Sequence, residues 1–514
     1  MNHFPFFLIP ILAIPLQAGE QDSVLTAIRS FLPPAAQAAD IPEQETSAVP
    51  ETEEKPQEQE ETPISVQYTP DVERPADVSP EAHAESYRIF KERLDEQVKQ
   101  NQEDYCPAFS AVLSATNDEF AIDTWMEKAA DEGNIAAITY IADKRLRGIK
   151  HDDQHAPEVK EAYGMLCKAA EAGFDLAAIH RYSCQRKGIG THKNEKEAEN
   201  NLMQACKKGG FLPRFHWLRH TGKLDQHDST TQPAVKAEAE RGNHFVLYYL
   251  ALQVPTTKEQ IQALQTAAIR GSADALYALS AVCSKVKPKQ SYELLQQAIA
   301  RHNAEAMWTL GGALCELASD NPLLKEAGIV PDDKTGRHLI RLASMLNSPS
   351  ANFWLGNAYF TGDYGVKQDM QRAYQHFAQG SARGFAPCGA AQGCMLLRGM
   401  GTAEDAKRGI MLIRGAANAG YPYAVVLLAY AHYMGLGMPA DADKAITLLQ
   451  EAAAMGYPEA YIYMAYITAK GGNNLTPNTE RADKYVRMAA LDIKDKAKEL
   501  YAELQAKGKW EPHP

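Results

Sequence analysis

The sequence predicts an all-α fold, an α/α solenoid superhelix of about ten to eleven helical hairpins behind a disordered N-terminal region. Two spacings predict the hairpins. A glycine ends a stretch of good helix formers about every 36 residues, and a small residue follows most of these glycines four positions later. A second cluster of glycines then separates the two helices of most units.

Residues 1–18 have the pattern of a signal peptide. The chain is apolar from Phe4 to Leu16 and then becomes small and polar. An apolar run of this length is typical of a signal peptide, and it is shorter than the about 20 residues of a membrane-spanning helix. We therefore expect export to the periplasm or cell surface of a bacterium. The alternative is an uncleaved N-terminus that tethers the protein to a membrane.

Residues 19–80 are predicted to form a disordered linker that is acidic and rich in proline and glutamate. Between Asp40 and Pro80 lie twelve acidic and two basic residues, so this stretch carries −10 of the formal net charge of −12. It has too few large apolar residues to offset the entropy of ordering the chain. The remainder of the chain is close to neutral and offers no basic stripe for phosphates, which argues against nucleic acid as a partner.

Residues 84–493 carry the repeats. The glycines that end helices are Gly133, Gly173, Gly209, Gly242, Gly271, Gly384, Gly420 and Gly456, with His302 and Asn347 at two positions that lack glycine. The small residues that follow are Ala137, Ala177, Ala275, Ala306, Ala351, Ala424 and Ala460. A glycine adopts the left-handed conformation wanted after a helix, and small residues on one face let a second helix approach. Neighbouring hairpins are expected to share one continuous core.

Two segments depart from this pattern. The spacing shrinks at about 209–302, where the units are divergent, and Ser319–Lys334 is an insertion. Residues 494–514 have the helical pattern and charge of a solvated capping helix followed by a tail.

The units AYGMLCKAAEAG and AVVLLAYAHYMGLGMPADADKAITLLQEAAAMG resemble Sel1-like repeats, relatives of the tetratricopeptide repeat. The resemblance covers most of residues 104–493. It implies a non-enzymatic scaffold that binds a protein or peptide through the concave face formed by helix A, the first helix of each hairpin. The cysteine-rich branch of the family is associated with penicillin binding. This suggests an alternative function, a cell-wall-associated protein that binds beta-lactam or peptidoglycan.

The candidate binding residues lie on helix A, on the face opposite the small residues. They are Trp354, Asn357, Tyr423, Tyr430, Tyr463 and Tyr466. Aromatic side chains at such positions offer rigid, amphipathic contact area for a partner. The alternative interpretation is that these rings only pack between neighbouring hairpins.

Three short motifs match those of serine beta-lactamases in order: Ser284-x-x-Lys287, Ser319-Asp320-Asn321 and Lys334-Thr335-Gly336. That chemistry needs the serine at the start of a helix and the Lys-Thr-Gly on a strand. Here the serine closes a helix, and the Lys-Thr-Gly precedes a sequence with helical pattern. We interpret the matches as chance and predict no catalytic residue.

No metal and no cofactor are predicted. His216 and His220 share a helix face at a spacing that can hold zinc, but no glutamate follows the first histidine. Among the eight cysteines, Cys283 and Cys315 occupy near-equivalent places in adjacent units and are a possible disulfide in an exported protein. The alternative is that the cysteines are small buried thiols.

Overall fold

Helices make up the regular structure of the chain. The computed structural model describes residues 80–100, 105–146, 153–208, 210–224, 233–254, 257–284, 286–315, 322–472, 474–494, 497–499, 501–502 and 506. Across these ranges every regular element is an α-helix, and one isolated antiparallel bridge joins Gly472 to Leu475. None of the helices described is both long and apolar enough to cross a membrane. The predicted signal peptide, the linker up to residue 79 and most of the C-terminal tail lie outside the described residues.

The chain divides into two compact units, Met1–Leu342 and Ala343–Pro514. The helices of the first unit are α1 (Pro80–Gln100), α2 (Cys106–Thr116), α3 (Ala121–Asp131), α4 (Ile135–Leu146), α5 (Pro157–Glu171), α6 (Asp175–Lys187), α7 (Glu195–Lys207), α8 (Phe211–His220), α9 (Pro233–Glu240), α10 (His244–Gln253), α11 (Thr257–Ile269), α12 (Ala273–Cys283), α13 (Pro288–Ala300), α14 (Ala304–Leu314) and α15 (Pro322–Ala327). Helix α16 (Asp333–Met345) contains the boundary between the units. Most consecutive helices of the first unit pack against each other, as the predicted solenoid requires.

The second unit is the more regular one. Its helices are α17 (Pro349–Thr361), α18 (Met370–Ala382), α19 (Ala386–Arg398), α20 (Ala406–Asn418), α21 (Pro422–Met434), α22 (Ala442–Ala454), α23 (Ala460–Lys470) and α24 (Thr479–Ile493). They pair as the hairpins α17–α18, α19–α20, α21–α22 and α23–α24, and each hairpin also packs against the next. The odd-numbered member of each pair is helix A and the even-numbered member is helix B.

Local backbone chemistry ends the helices as predicted. Seven of the eight predicted helix-ending glycines have positive φ, and the eighth, Gly209, lies outside the described residues. His302 and Asn347 adopt the same conformation with φ of 60° and 63°. After α20, the Gly420 amide donates to the Ala417 carbonyl and the Tyr421 amide to the Ala416 carbonyl, at 2.9 and 3.2 Å. This pair of bonds satisfies carbonyl groups that the helix end leaves open.

The small residues sit where the helices approach most closely. All seven alanines predicted from the spacing have 0% of their surface exposed. A Cβ added to Gly356 would lie 2.5 Å from the Phe377 ring, and one added to Gly393 would lie 2.7 Å from the Gly409 carbonyl oxygen. The absence of side chains at these glycines therefore allows helices A and B to pack at short range.

The helix B starts of the second unit share a polar cap. Asp369, Asp405, Asp441 and Asn478 each accept a hydrogen bond from a backbone amide in the first turn of the helix that follows. Side-chain oxygens at this position satisfy amide groups that have no partner within the helix.

The two irregular segments also form helices. The divergent region contains α8 to α13, with helices of 8 to 13 residues. Within the predicted insertion, α15 packs against α13 and buries Leu323 and Leu324. The insertion is therefore in part a short amphipathic helix, whose apolar side chains the repeat spacing does not reveal.

Candidate functional site

The predicted binding residues all lie in the second unit, on three helix A elements. Trp354 and Asn357 are on α17, Tyr423 and Tyr430 on α21, and Tyr463 and Tyr466 on α23. Four of them, Trp354, Asn357, Tyr423 and Tyr463, are half-buried. The other two require a correction.

Tyr430 and Tyr466 lie in the hydrophobic core. They are 6% and 4% exposed and belong to one buried cluster with Ala445, Leu449 and Met464. Neighbouring helices cover much of helix A: residues Cys388–Leu397 of α19, for example, are all buried, because α19 packs against α17, α18, α20 and α21. For these two tyrosines the alternative interpretation, packing between hairpins, is the one that the structure supports.

The half-buried aromatic side chains are held by ring contacts. The Trp354 ring lies 4.8 Å from that of Tyr364, between centroids, and the Tyr423 ring lies 5.7 Å from that of Tyr457. Burial raises the pKa of Tyr423 well above its ordinary value, and the neighbouring Tyr463 hydroxyl adds to the rise. The Tyr423 hydroxyl therefore stays protonated at physiological pH.

One recurring aromatic position lies outside helix A, just before it. Phe385, Tyr421 and Tyr457 each follow a helix-ending glycine, at intervals of 36 residues. The ring centroids of Tyr421 and Tyr423 lie 6.3 Å apart, and burial raises the pKa of Tyr421 to about 12. The repeat in the sequence carries this signal, since the residue after the glycine is where a helix end makes its apolar contact.

A buried polar cluster joins Ser344, Asn352 and His376. The Ser344 hydroxyl donates to Asn352 Oδ1 at 2.9 Å, and His376 Nδ1 lies 3.1 Å from the same oxygen. The Tyr359 ring stacks on the imidazole at 5.5 Å. All three polar residues are at most 2% exposed. The Ser344 hydroxyl and Asn352 Oδ1 both lie within hydrogen-bond distance of His376 Nδ1. The arrangement thus has the residue types of a nucleophile and its base, but burial of all three side chains keeps them from a substrate in solution.

The beta-lactamase-like motifs fall on helix ends. Ser284 follows α12, and its hydroxyl donates to the Ala281 carbonyl at 2.8 Å. Lys334, Thr335 and Gly336 form the first turn of α16, where the Thr335 hydroxyl donates to Asp332 at 2.6 Å. The middle motif, residues 319–321, lies outside the described residues. The two described motifs thus lack the helix-start serine and the strand that the chemistry requires.

The candidate zinc histidines contact each other but have no third ligand. The rings of His216 and His220 lie 5.8 Å apart, and no group of three metal-binding side chains occurs in the described part of the chain. Burial, followed by the charge of nearby cations, lowers the pKa of His216 to about 4.

The predicted disulfide between Cys283 and Cys315 is not formed. Both residues are buried thiols, and burial raises the pKa of each to about 12. Cys315 instead fills the space above Gly336, where an added Cβ would lie 2.7 Å from its sulfur. The cysteines therefore pack as small apolar side chains, the alternative left open by the sequence.

Comparison with known proteins gives one family. The model of the Sel1 repeat matches residues 124–134, 349–385, 390–421, 422–457 and 458–492. Among solved structures, the protective antigen c5321 of uropathogenic Escherichia coli, which displays an SLR fold, is 18% identical with a TM-score of 0.39, covering 84% of this chain and 97% of its own. A Sel1 repeat protein from Oxalobacter formigenes is 20% identical with a TM-score of 0.39, covering 47% of this chain and 96% of its own. No curated protein matches the chain.

Proposed function

This chain is a Sel1-like repeat protein, and from that premise we propose that it is an exported, non-enzymatic scaffold that binds a protein or peptide partner. The repeat fold supports a role in protein–protein interaction, since a solenoid of hairpins presents a long surface and no central pocket. The apolar segment at the N-terminus supports export to the periplasm or cell surface.

The observation that carries the proposal is the set of half-buried aromatic side chains on the second unit. Trp354, Tyr423 and Tyr463 are each only partly buried, and ring contacts hold Trp354 against Tyr364 and Tyr423 against Tyr457. Rigid aromatic side chains contribute most to binding because little side-chain freedom is lost on contact. We therefore assign the partner contact to these three rings and to Asn357. Tyr430 and Tyr466 are left out because they are buried in the core.

The test is capture of a partner in the native cell. The full chain carrying Trp354→Ala and Tyr463→Ala should cross-link a partner at least ten-fold less than the unchanged chain, while its helix content stays the same. The matched control is Met411→Ala, an apolar residue on α20 that is 64% exposed. Equal loss in the control, or undiminished capture in the double variant, would contradict the assigned surface.

Export has its own test. Protein isolated from the native bacterium should fractionate with the periplasm or the cell surface, and its N-terminal sequence should begin after the apolar segment. A full-length N-terminus in the cytoplasmic fraction would exclude export while leaving the binding surface untouched.

A further inference from the structure

A cationic surface lies on the first unit, far along the chain from the aromatic side chains discussed above. Arg186 and Lys187 are in the last turn of α6, Arg219 is in the last turn of α8, and Lys223 follows α8. We call these four residues the cationic patch. The Arg186 guanidinium lies 3.4 Å from the ring of His220, whose centroid is 4.7 Å from that of Tyr182.

The patch combines positive charge with aromatic rings. The Lys223 ammonium lies 4.1 Å above the Trp217 ring, and the Arg186 guanidinium lies 5.8 Å from the Tyr182 ring. These contacts hold the long cationic side chains against the surface, so that a ligand which binds them pays less of the entropy of ordering them.

The cations of the patch are not neutralised by the residues that the structure describes. No carboxylate in those ranges lies within ion-pair distance of any of the four. The adjacent carboxylates of Asp143 and Glu195 are paired with His180 and Lys193, at 3.0 and 3.1 Å, and the Arg186 charge makes only the smallest contribution to the lowered pKa of Glu195. After burial, the charges of Arg186, Arg219 and Lys187 also lower the pKa of His220, so these three cations lie near that ring.

The same chain carries the complementary charge. Residues 51–61 contain six glutamates and one lysine, within the stretch that holds −10 of the net charge of −12. That stretch leads directly into α1 of the same unit. The eighteen residues between Glu61 and α1 can span at most roughly 60 Å, and a covalent tether of this length gives an effective concentration near the millimolar range.

We propose that the acidic segment Glu51–Glu61 binds the cationic patch of its own chain. Carboxylates of the segment pair with the guanidinium and ammonium groups, and the segment occupies the patch in competition with any other acidic peptide. The proposal does not depend on the function assigned to the second unit.

Zero-length carbodiimide cross-linking of the full chain tests it, since this reagent joins a carboxylate to an amine only when they touch. At about 20 mM salt we expect cross-links from Lys187 and Lys223 to Glu51–Glu61 within single chains, and at about 0.5 M salt at least a five-fold loss. Lys444, exposed on α22, is the control amine. Cross-links to Lys444 in equal yield, or none to the patch, overturn the proposal.

Two variants separate the sources of the signal. Replacing the six glutamates by glutamine leaves the helical body unchanged and should abolish the cross-links. In Arg186→Glu/Arg219→Glu, which keeps both lysines, the cross-links of Lys187 should fall at least five-fold, with helix content as the control for folding. If cross-links join two chains and rise with protein concentration, a second copy supplies the segment and the intramolecular proposal is wrong.

Discussion

Asn352 is a single buried side chain on which several polar groups of the second unit depend. Its Oδ1 accepts from the Ser344 hydroxyl, and its Nδ2 donates to the Ser348 carbonyl at 2.9 Å. It is 0% exposed, so water cannot replace these partners. A buried polar group that loses its hydrogen-bond partner lowers the free energy of unfolding by more than a typical hydrogen bond contributes to it.

We expect Asn352→Ala to lower the free energy of unfolding of the second unit by about 2–3 kcal/mol, because Ser344 loses its acceptor and a cavity opens. Urea denaturation measures the loss. The matched control is Asn357→Ala, five residues along the same helix, where the half-buried amide donates to the Phe353 carbonyl. That change should cost less than about 0.5 kcal/mol, and a comparable loss in both variants would contradict the role given to Asn352.

At the level of single elements, glycine has opposite effects on stability at two positions of the hairpin α19–α20. Gly393 on α19 faces α20 at close range: an added Cβ would lie 2.6 Å from Ile413 and 2.7 Å from the Gly409 carbonyl. Gly415 on α20 has nothing within 4 Å of the same point. Both glycines are inside helices, so they differ in packing and not in backbone conformation.

Gly393→Ala should therefore destabilise the second unit by about 1–3 kcal/mol, because α19 and α20 must move apart. Gly415→Ala should stabilise it by about 0.5–1 kcal/mol, since alanine is the better helix former. Thermal unfolding of the two variants beside the unchanged protein gives both values. If Gly415→Ala also destabilises the second unit, the close approach of α19 and α20 is not the reason why Gly393→Ala does.

The cap of α22 predicts a pH dependence. The Asp441 carboxylate accepts from the backbone amide of Lys444 and from Asn474, and these bonds lower its pKa below the usual 3.8. Because the pKa of Asp441 is lower in the folded state than in the unfolded state, the ionised carboxylate stabilises the fold. This stabilisation is complete above pH 3.8 and is lost as the pH falls through the lowered pKa.

Asp441→Asn should keep the cap and remove this loss, so that the melting temperature falls less between about pH 6 and about pH 2.5 than in the unchanged protein. The reciprocal control is Asn478→Asp at the equivalent cap of α24, which should make the fall steeper. If the melting temperature falls equally with pH in all three proteins, the cap does not contribute to the pH dependence of stability.

At the largest scale, the first unit is closed by a contact between residues 224 positions apart. Arg341 on α16 donates to the Asn117 side chain, and its Nε lies 3.6 Å from a Glu119 carboxylate oxygen. The two charged side chains are 12% and 3% exposed. The pair joins the loop after α2 to a helix near the end of the same unit.

We expect Arg341→Ala to destabilise the first unit by about 3 kcal/mol, because a buried ion pair with Glu119 loses its cation. Hydrogen exchange at residues 113–121 should become at least ten-fold faster. Arg337→Ala, one turn earlier on α16, removes a more exposed ion pair with Asp333 and should cost less than about 0.5 kcal/mol. Unchanged exchange at 113–121 in Arg341→Ala would mean that the contact does not hold the unit closed.

The sequence by itself determined the helical repeat, because the features that set it are local. A left-handed residue such as Gly420 or Asn347 ends a helix whatever surrounds it, and the small residue four positions later fits only against another helix. Spacing along the chain was therefore enough to predict the hairpins and the seven buried alanines.

Only the tertiary structure decided which side chains stay accessible and which charges meet. Tyr430 has the same sequence character as a surface aromatic residue, but helices on several sides of α21 bury it. The contact of Arg341 with Asn117, and the meeting of Arg186 with His220, join residues from different hairpins. Burial and charge pairing depend on distances across helices, and no periodicity along one chain specifies those distances.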